Sequence, residues 1–168
     1  MRASSPQTIR LLAMDVDGVL TDAGMYYSES GDEWKKFNTR DGMGIKLLQQ
    51  AGILTALITQ EQTKLVARRA EKLAIPEVHQ GAHNKLVILR DIIARHGLDL
   101  CQVAYIGDDV NDLAVLQAVG FSAAPADAVL AVRKAVQYVC RKKGGEGAVR
   151  EIANLILEAE EARMPKRK

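Results

Sequence analysis

Two acidic clusters in this sequence each follow a short apolar segment. Asp15 and Asp17, with a glycine at position 18, come directly after residues 9–14. Residues 108–112 (Asp-Asp-Val-Asn-Asp) follow the apolar residues 103–106 in the same way. Such segments are typical of buried parallel strands, and ligands of open α/β sheets bind at the carboxyl ends of these strands. We therefore expect both acidic clusters to face one crevice.

Carboxylates that are crowded into one crevice repel each other unless a cation neutralises them. Hard oxygen ligands with room for water molecules favour Mg²⁺, so the sequence predicts a magnesium site. The alternative is that these aspartates only form turns and helix caps, where Asp is common. An EF-hand is excluded, because Leu20 and Tyr26 occupy the positions that need Gly and Glu in a loop counted from Asp15.

Thr59 and Lys85 lie between the two clusters and are candidate anion ligands. Thr59 follows the apolar residues 53–58 and would hydrogen-bond an anion beside the amides of the following turn. Lys85 begins a predicted helix, where a cation opposes the helix dipole, so it is a candidate counterion for a phosphate. A helix cap at Thr59 and a solvated charge at Lys85 are the alternatives.

The hydrophobic pattern predicts the scaffold that positions these residues. Six apolar segments are predicted strands, at residues 9–14, 53–58, 78–80, 103–106, 121–123 and 138–140. They alternate with amphipathic segments, among them a helix that ends at Gly97, one from residue 111 or 112 to 118, and a final one at 148–162. This alternation predicts an α/β fold with a doubly wound, Rossmann-like parallel sheet.

A β-hairpin and a single domain complete the predicted architecture. Residues 25–28 and 33–37 flank Ser-Gly-Asp, which predicts a hairpin that projects from the body. The chain has 168 residues without a linker or repeat, so we expect one domain over residues 1–168. We place its ordered core at about 8–162 and expect a short basic C-terminal tail.

The composition excludes several classes of protein. The net charge of +2 comes from the last six residues, which hold four of the 23 cations, so the other 162 residues carry 19 cations against 21 acids. A slightly acidic body argues against nucleic-acid binding. No apolar segment approaches the ~20 residues of a membrane span, so no membrane partner is expected. Cys101 and Cys140 form no metal or disulfide motif, which predicts a cytoplasmic protein.

The chain resembles the haloacid dehalogenase superfamily of phosphotransferases in one ordered set of motifs, Asp15-x-Asp17-Gly18, Thr59, Lys85 and Gly107-Asp108-Asp109-x-Asn111-Asp112. The resemblance implies that Asp15 is a nucleophile that forms an aspartyl-phosphate, and that Asp17 protonates the leaving oxygen and then activates water. It also implies that Thr59 and Lys85 bind the phosphoryl group. Mg²⁺ would be held by the Asp15 carboxylate, the Asp17 backbone carbonyl and Asp108, with Asp109, Asn111 and Asp112 supporting these ligands.

Four longer segments resemble the phosphatases of 2-keto-3-deoxy sugar acid phosphates, namely 15–22 (DVDGVLTD), 37–44 (FNTRDGMG), 105–112 (YIGDDVND) and 144–151 (GGEGAVRE). These enzymes act on 3-deoxy-D-manno-octulosonate 8-phosphate or on nine-carbon nonulosonate 9-phosphates such as KDN 9-phosphate. The resemblance implies a small-molecule sugar acid phosphate as substrate, in lipopolysaccharide or sialic acid biosynthesis. It further implies a fold without a cap domain and a homotetramer in which neighbouring subunits close the active site.

The substrate contacts are less specific than the catalytic motifs. The eight-carbon group usually has Gly-Arg after the threonine, whereas this chain has Gln60-Glu61, which looks more like the nine-carbon branch, so both substrates stay open. The candidate substrate ligands are Gly18, Thr39, Arg40, Asp41, Gln60, Glu61, Arg69, Lys72 and Arg150. Arg69 and Lys72 share a helical face and either bind the sugar-acid carboxylate or form a solvated surface. Asp41 either contacts substrate hydroxyls or caps the next helix, and residues 144–147 either cover a site, in this subunit or a neighbour, or form a flexible turn.

Other functions fit the sequence less well. A phosphoaspartate signalling receiver has its Thr and Lys after both acidic groups, whereas Thr59 and Lys85 precede the second cluster. A non-catalytic oligomerisation module of sugar-acid activation would not need Asp15, Asp17, Lys85 and Asp108 together. A phosphomutase is disfavoured because no cap would exclude water.

Overall fold

The computed structural model describes residues 9–163, and a six-stranded parallel sheet forms its centre. In spatial order the strands are β5 (Glu77–His79), β4 (Leu54–Ile58), β1 (Leu11–Met14), β6 (Val103–Ile106), β7 (Phe121–Ala124) and β8 (Tyr138–Val139). β1 lies between β4 and β6, with Met14 opposite Leu57 on one side and Ile106 on the other. The strands that precede the two acidic clusters and Thr59 are therefore neighbours, and their carboxyl ends meet.

Helices cover both faces of the sheet, which confirms the doubly wound α/β fold. Leu12 and Met14 pack in one core with α1 (Thr39–Gln50), α2 (Lys64–Lys72) and α6 (Ala148–Arg163). Leu11 and Ala13 pack in the other core with α3 (Lys85–His96), α4 (Leu113–Ala118) and α5 (Leu130–Ala135). All four strand residues are fully buried, which explains why the strand has no polar face.

Capping residues set where the helices that carry the site begin and end. The side chain of Asn84 accepts a hydrogen bond from the Val87 amide at 3.2 Å, so that Lys85 is the first residue of α3. The helix ends at Gly97, as predicted, in the left-handed conformation with φ of 61°. The predicted helix from residue 111 or 112 is divided into a 3₁₀ turn, Val110–Asp112, and α4.

Two helices carried little signal in the sequence. We did not predict α5, because six residues are too few for a helical period to be recognised. α1 was expected only as the helix next to Asp41, and Gly42 and Gly44 lower the helix propensity of its first half. These glycines allow close packing, since a Cβ atom at Gly44 would come within 3.1 Å of Ala153 in α6.

The predicted hairpin is present and is shorter than expected. Its strands are β2 (Tyr26–Tyr27) and β3 (Glu33–Trp34), which pair antiparallel with Tyr26 opposite Trp34. An isolated bridge between Thr21 and Phe37 joins its base to the body. Within residues 9–163, the helices and strands between the first acidic cluster and Thr59 are this hairpin, α1 and the central strand β4, so this segment contains no cap domain.

The remaining expectations concern the ends of the chain and membrane association. Across residues 9–163, every helix is too short or too polar to cross a bilayer. The expected start of the ordered core at residue 8 and most of the basic tail lie outside the described residues.

Candidate active site

A cleft of about 240 Å³ lies at the carboxyl ends of β1, β4 and β6. The residues that line it come from both acidic clusters and from the turn after β4: Asp15, Asp17, Ala23, Thr59, Gln60, Glu61, Asp108, Asp109 and Asn111. The structure thus brings together groups that are more than 90 residues apart in the chain. Two larger clefts, of about 490 and 450 Å³, lie elsewhere and contain none of these residues.

The centre of the site is a buried ion cluster around Lys85. Its ammonium group lies 2.6 Å from Asp15 Oδ2 and 2.7 Å from Asp112 Oδ1. The fully buried Tyr105 hydroxyl donates to the same Asp112 oxygen at 2.7 Å, and the Asp108 amide donates to Asp112 Oδ2 at 3.1 Å. Three donors therefore hold Asp112 in place. We predicted Lys85 as a phosphoryl ligand, and the structure shows that it also fixes two aspartates.

Close backbone approach at two glycines permits this crowding. A Cβ atom on Gly18, which has a positive φ of 75°, would lie 2.0 Å from Asp108 Oδ2. A Cβ atom on Gly107 would lie 2.5 Å from the Asp112 carboxyl carbon. A side chain at position 18 would therefore clash with Asp108 of the second acidic cluster, and a side chain at position 107 would displace Asp112 within that cluster.

The carboxylates around Lys85 outnumber this one ammonium group, and the pKa values of two of them, Asp15 and Asp108, are raised. Burial, followed by the charge of Asp112, raises the pKa of Asp15 to about 7, although Lys85 opposes this shift. Burial and the charges of Asp15 and Asp112 raise the pKa of Asp108 to about 8. Ionisation of both groups at neutral pH is therefore unfavourable in the absence of a further positive charge.

The donor set fits a hard divalent cation. Carboxylate oxygens of Asp15, Asp108 and Asp112 lie within 4.8 Å of one another. Asp112 already accepts bonds from three donors, which leaves Asp15 and Asp108 as the better placed metal ligands. Oxygen ligands and uncompensated negative charge are the properties that Mg²⁺ requires.

The two carboxylate oxygens of Asp17 differ in their contacts, since one accepts hydrogen bonds and the other has no hydrogen-bond partner among the described residues. Asp17 Oδ1 lies 2.5 Å from the Lys35 ammonium group and accepts a longer bond of 3.4 Å from the Thr21 hydroxyl. Asp17 Oδ2 is buried and makes no hydrogen bond within the described residues. A buried acceptor without a donor is costly, which indicates that this oxygen meets a proton or a ligand.

The turn after β4 connects several parts of the site. Glu61 Oε2 lies 2.6 Å from Lys35, the same ammonium group that contacts Asp17. The Asn111 side chain donates to Gln60 Oε1 at 3.1 Å, which joins this turn to the second acidic cluster. The predicted residues Gln60, Glu61, Asp109 and Asn111 therefore line the same cleft as the predicted catalytic residues Asp15, Asp17 and Thr59.

Other predicted substrate ligands lie outside this cleft. Asp41 is fully buried and accepts from the amides of Gly147 at 3.2 Å and Arg150 at 2.8 Å. It therefore caps α6, and α1 is capped instead by Asn38, which accepts from the Arg40 amide at 2.8 Å. Of the two alternatives for Asp41, a cap of the helix that follows it is wrong, because this residue lies inside α1, and contact with substrate hydroxyls stays a prediction.

Thr39 and the predicted basic ligands occupy three different environments. Arg69 lies with its guanidinium 5.4 Å from the centre of the Phe37 ring and donates to the Asn38 carbonyl at 2.8 Å. Arg40 and Arg150 line the separate cleft of about 450 Å³ near the start of α6. The two remaining candidates are exposed, Thr39 at the start of α1 and Lys72 at the end of α2. The contact of these residues with substrate stays a prediction.

The glycine-rich loop at residues 144–147 packs against the first acidic turn of its own chain. The Gly145 amide donates to the Val19 carbonyl at 3.0 Å, and the Asn38 side chain donates to the Gly145 carbonyl at 3.1 Å. A Cβ atom on Gly144 would lie 1.9 Å from the Gly18 carbonyl oxygen. The loop therefore supports the turn that carries Asp17 and Gly18.

We did not predict two residues of the site, Lys35 and Tyr105. Tyr105 lies within an apolar strand, which is typical of a core residue. Its hydroxyl group contacts Asp112, which is seven residues further along the chain. Lys35 contacts groups that are 18 and 26 residues away. No local spacing in the sequence indicates such contacts.

The comparisons with known proteins agree with this geometry. Residues 55–152 match the family of haloacid dehalogenase-like hydrolases. The 3-deoxy-D-manno-octulosonate 8-phosphate phosphatase KdsC of Yersinia pestis is 46% identical over 153 residues, which is 91% of this chain and 82% of that protein. The chain belongs to the KdsC family of haloacid dehalogenase-like phosphatases. It is accordingly a phosphoric monoester hydrolase.

Solved structures of KdsC proteins share the fold. The enzyme from Moraxella catarrhalis was solved in complex with magnesium ion, phosphate ion and a KDO molecule. It is 39% identical, with a TM-score of 0.91 over 95% of this chain and 91% of that one. The KdsC structure from Yersinia pestis gives a TM-score of 0.92 at 44% identity, over 95% of this chain and 86% of that one.

Proposed function

We propose that this protein hydrolyses a 2-keto-3-deoxy sugar acid phosphate through an aspartyl-phosphate intermediate. Asp15 and Asp17 line one cleft with Thr59 and Asp108, and this observation carries the proposal. The KdsC relatives favour 3-deoxy-D-manno-octulosonate 8-phosphate as the substrate. A nonulosonate 9-phosphate is the second candidate, because Gln60-Glu61 replaces the usual Gly-Arg.

Asp15 and Asp17 divide the reaction into two displacements. An Asp15 oxygen attacks phosphorus as the ester P–O bond breaks, and Asp17 gives its proton to the leaving sugar oxygen. Asp17 then removes a proton from water, whose oxygen bonds to phosphorus while the Asp15–phosphorus bond breaks. This step releases inorganic phosphate and restores Asp15 as a carboxylate and Asp17 as an acid.

Other residues of the cleft stabilise charge during these steps. Lys85 holds Asp15 at 2.6 Å and would offset charge on the phosphoryl oxygens, which Thr59 would hydrogen-bond. The Asp15 carboxylate, the Asp17 backbone carbonyl and Asp108 would hold Mg²⁺, and Asp112, Asp109 and Asn111 would support them. Bound Mg²⁺ would supply positive charge against the crowded carboxylates and the phosphoester.

The hairpin supports the proposed homotetramer. Tyr26, Tyr27 and Trp34 are 42%, 66% and 54% exposed, although large aromatic side chains are usually buried. A neighbouring subunit that packed on this surface would remove it from water. Arg40 and Arg150 lie outside the cleft of their own chain, and a neighbouring subunit is one route by which they would reach a substrate.

Side-by-side kinetics test the proposed function and its substrate. We expect Mg²⁺-dependent release of phosphate from both the eight-carbon 8-phosphate and the nine-carbon 9-phosphate, with the higher kcat/KM for the natural substrate class. Exchange of Gln60-Glu61 for Gly-Arg should move the ratio of the two kcat/KM values towards the eight-carbon substrate. Absence of turnover with either compound and with p-nitrophenyl phosphate would favour a non-catalytic module.

A further inference from the structure

Lys35 lies next to an exposed hairpin strand, yet its charged side chain is buried. It follows β3 of the exposed hairpin, yet its side chain is only 1% exposed. The next residue, Lys36, is 57% exposed and contacts Asp22 at 3.3 Å. Lysine is almost never fully buried unless it is paired. The contrast between these neighbours shows that the fold directs the Lys35 ammonium group towards Asp17 and Glu61, two residues that line the cleft.

The two partners of Lys35 belong to different loops of the site. Its ammonium group lies 2.5 Å from Asp17 Oδ1 and 2.6 Å from Glu61 Oε2. Asp17 belongs to the turn after β1, and Glu61 belongs to the turn after β4. Lys35 therefore connects the hairpin to both turns by charge-assisted hydrogen bonds, which are roughly twice as strong as neutral ones.

The contact distinguishes the two oxygens of Asp17. Oδ1 is occupied by Lys35, with the Thr21 hydroxyl at 3.4 Å as a weaker partner. Oδ2 is buried and has no hydrogen-bond partner within residues 9–163. The Lys35 ammonium group has three donors and no acceptor. It therefore donates to Oδ1 and cannot accept a hydrogen bond from a proton on that oxygen. Oδ2 is left as the oxygen that can carry and release a proton.

We propose that Lys35 is a positioning residue that holds Asp17 through Oδ1 and so assigns proton transfer to Oδ2. Glu61 keeps Lys35 in this position by binding the same ammonium group. This inference rests on the proposed function, because it needs Asp17 as the acid that protonates the leaving oxygen and as the base that activates water. Without Lys35 the carboxyl group would rotate, and both proton transfers would slow.

A Lys35→Met variant, with Lys36→Met as the matched control, tests this role. Acid–base catalysis contributes roughly 10²- to 10⁴-fold, so we expect kcat for the sugar acid phosphate to fall about 100-fold in Lys35→Met and to change little in Lys36→Met. p-Nitrophenolate leaves without a proton. Lys35→Met should therefore still give a burst of p-nitrophenolate near one equivalent per active site, followed by slow turnover.

A double-mutant cycle with Asp17→Asn separates positioning from a general structural effect. If Lys35 acts through Asp17, Lys35→Met should cost little further activity once Asp17 is Asn. A purely structural role would lower activity by the same factor in both backgrounds. It would also slow phosphoryl transfer from both substrates equally and abolish the burst, and either result would overturn the proposal.

A charge-matched variant covers the case in which Lys35→Met does not fold. Lys35→Met with Glu61→Gln removes one positive and one negative charge, so the local net charge is kept. It still removes the contact with Asp17 Oδ1 and should show the same loss for the sugar acid phosphate. If wild type is active and this variant retains its kcat, the Lys35 proposal fails while the proposed function stands. If wild type has no Mg²⁺-dependent activity, the proposed function itself fails.

Discussion

Two of the clusters of charged side chains within residues 9–163 have opposite balances of charge. At the centre of the site, Asp15, Asp108 and Asp112 lie close together, and Lys85 contacts the first and the last of them. The pKa values of Asp15 and Asp108 are raised to about 7 and about 8. On the surface at β5, a single carboxylate, Glu77, faces three basic side chains. His79 and His96 lie 2.8 Å from its oxygens, and Arg95 lies at 2.7 Å.

The carboxylates of the site need a further positive charge from a ligand, whereas the charge of Glu77 is already compensated by its basic neighbours. Burial alone would raise the pKa of Glu77, but hydrogen bonds from His96, His79 and Arg95 outweigh it and lower the pKa. The Glu77 cluster therefore stabilises the folded chain, because its hydrogen bonds favour the ionised carboxylate more than water does in the unfolded state. In the site, by contrast, the raised pKa values of Asp15 and Asp108 show that ionised carboxylates are disfavoured there. Such crowded negative charge is expected of a metal-dependent enzyme.

The largest expected effect concerns the nucleophile. Asp15→Asn removes the attacking oxygen and should lower turnover by roughly 10⁴-fold or more, as loss of a covalent nucleophile does in other enzymes. The fold should persist, because Asn has the same shape and relieves repulsion among the carboxylates. Steady-state kinetics and circular dichroism measure both results, with Asp91→Asn on the exposed face of α3 as control. Retained turnover in Asp15→Asn would show that another group attacks phosphorus.

The second prediction concerns the response of stability to magnesium. A ligand present at 100 times its Kd stabilises the folded state by about 2.7 kcal/mol, so saturating Mg²⁺ should raise the Tm of the wild type by several degrees. Asp108→Asn should raise the Tm in the absence of metal, because it removes a raised-pKa carboxylate from the cluster. It should also reduce the response to Mg²⁺. An equal response in both proteins, measured by thermal unfolding, would place the cation elsewhere.

The smallest expected effect concerns the surface cluster. Glu77→Gln should destabilise the protein at neutral pH by about 1 kcal/mol, since its basic partners are partly exposed. The pKa of Glu77 is lower in the folded state than its ordinary value of 4.5, so this difference is present above that value. It should disappear as the pH falls through the lowered pKa of the folded state.

Thermal unfolding of wild type and Glu77→Gln between pH 7 and pH 3 checks this dependence. Glu71→Gln on the exposed surface of α2 is the matched control and should show no such change. If the difference between wild type and Glu77→Gln stays constant down to pH 3, Glu77 does not gain its stabilising charge from this cluster.

Features that depend on neighbours in the chain were predictable. The central strands β1, β4 and β6 are buried on both faces, so their apolar composition marks them in the sequence. The acidic clusters directly follow such strands, and the parallel sheet brings them to one edge, as expected. Gly97 ends α3 because it adopts a positive φ at no steric cost.

Features that depend on contacts between distant segments were not predictable. The spacing around Asp41 suggested a cap for its own helix, whereas the folded chain uses it to cap α6, whose first residues lie more than 100 positions away. Lys35 looks like a hairpin surface residue until the hairpin folds against the turns that carry Asp17 and Glu61.

The sequence by itself determined the order of the strands and of most helices along the chain, the chemical types gathered at the sheet edge and the family to which the chain belongs. Only the tertiary structure decided which oxygen of Asp17 is held, how Asp112 is fixed by Lys85 and Tyr105, and that Arg40 and Arg150 lie outside the main cleft. The physical reason is the range of the interactions. Periodicity and turn preferences act between residues that are close in the chain, whereas charge pairing in the cleft acts between residues that become neighbours only when the chain folds.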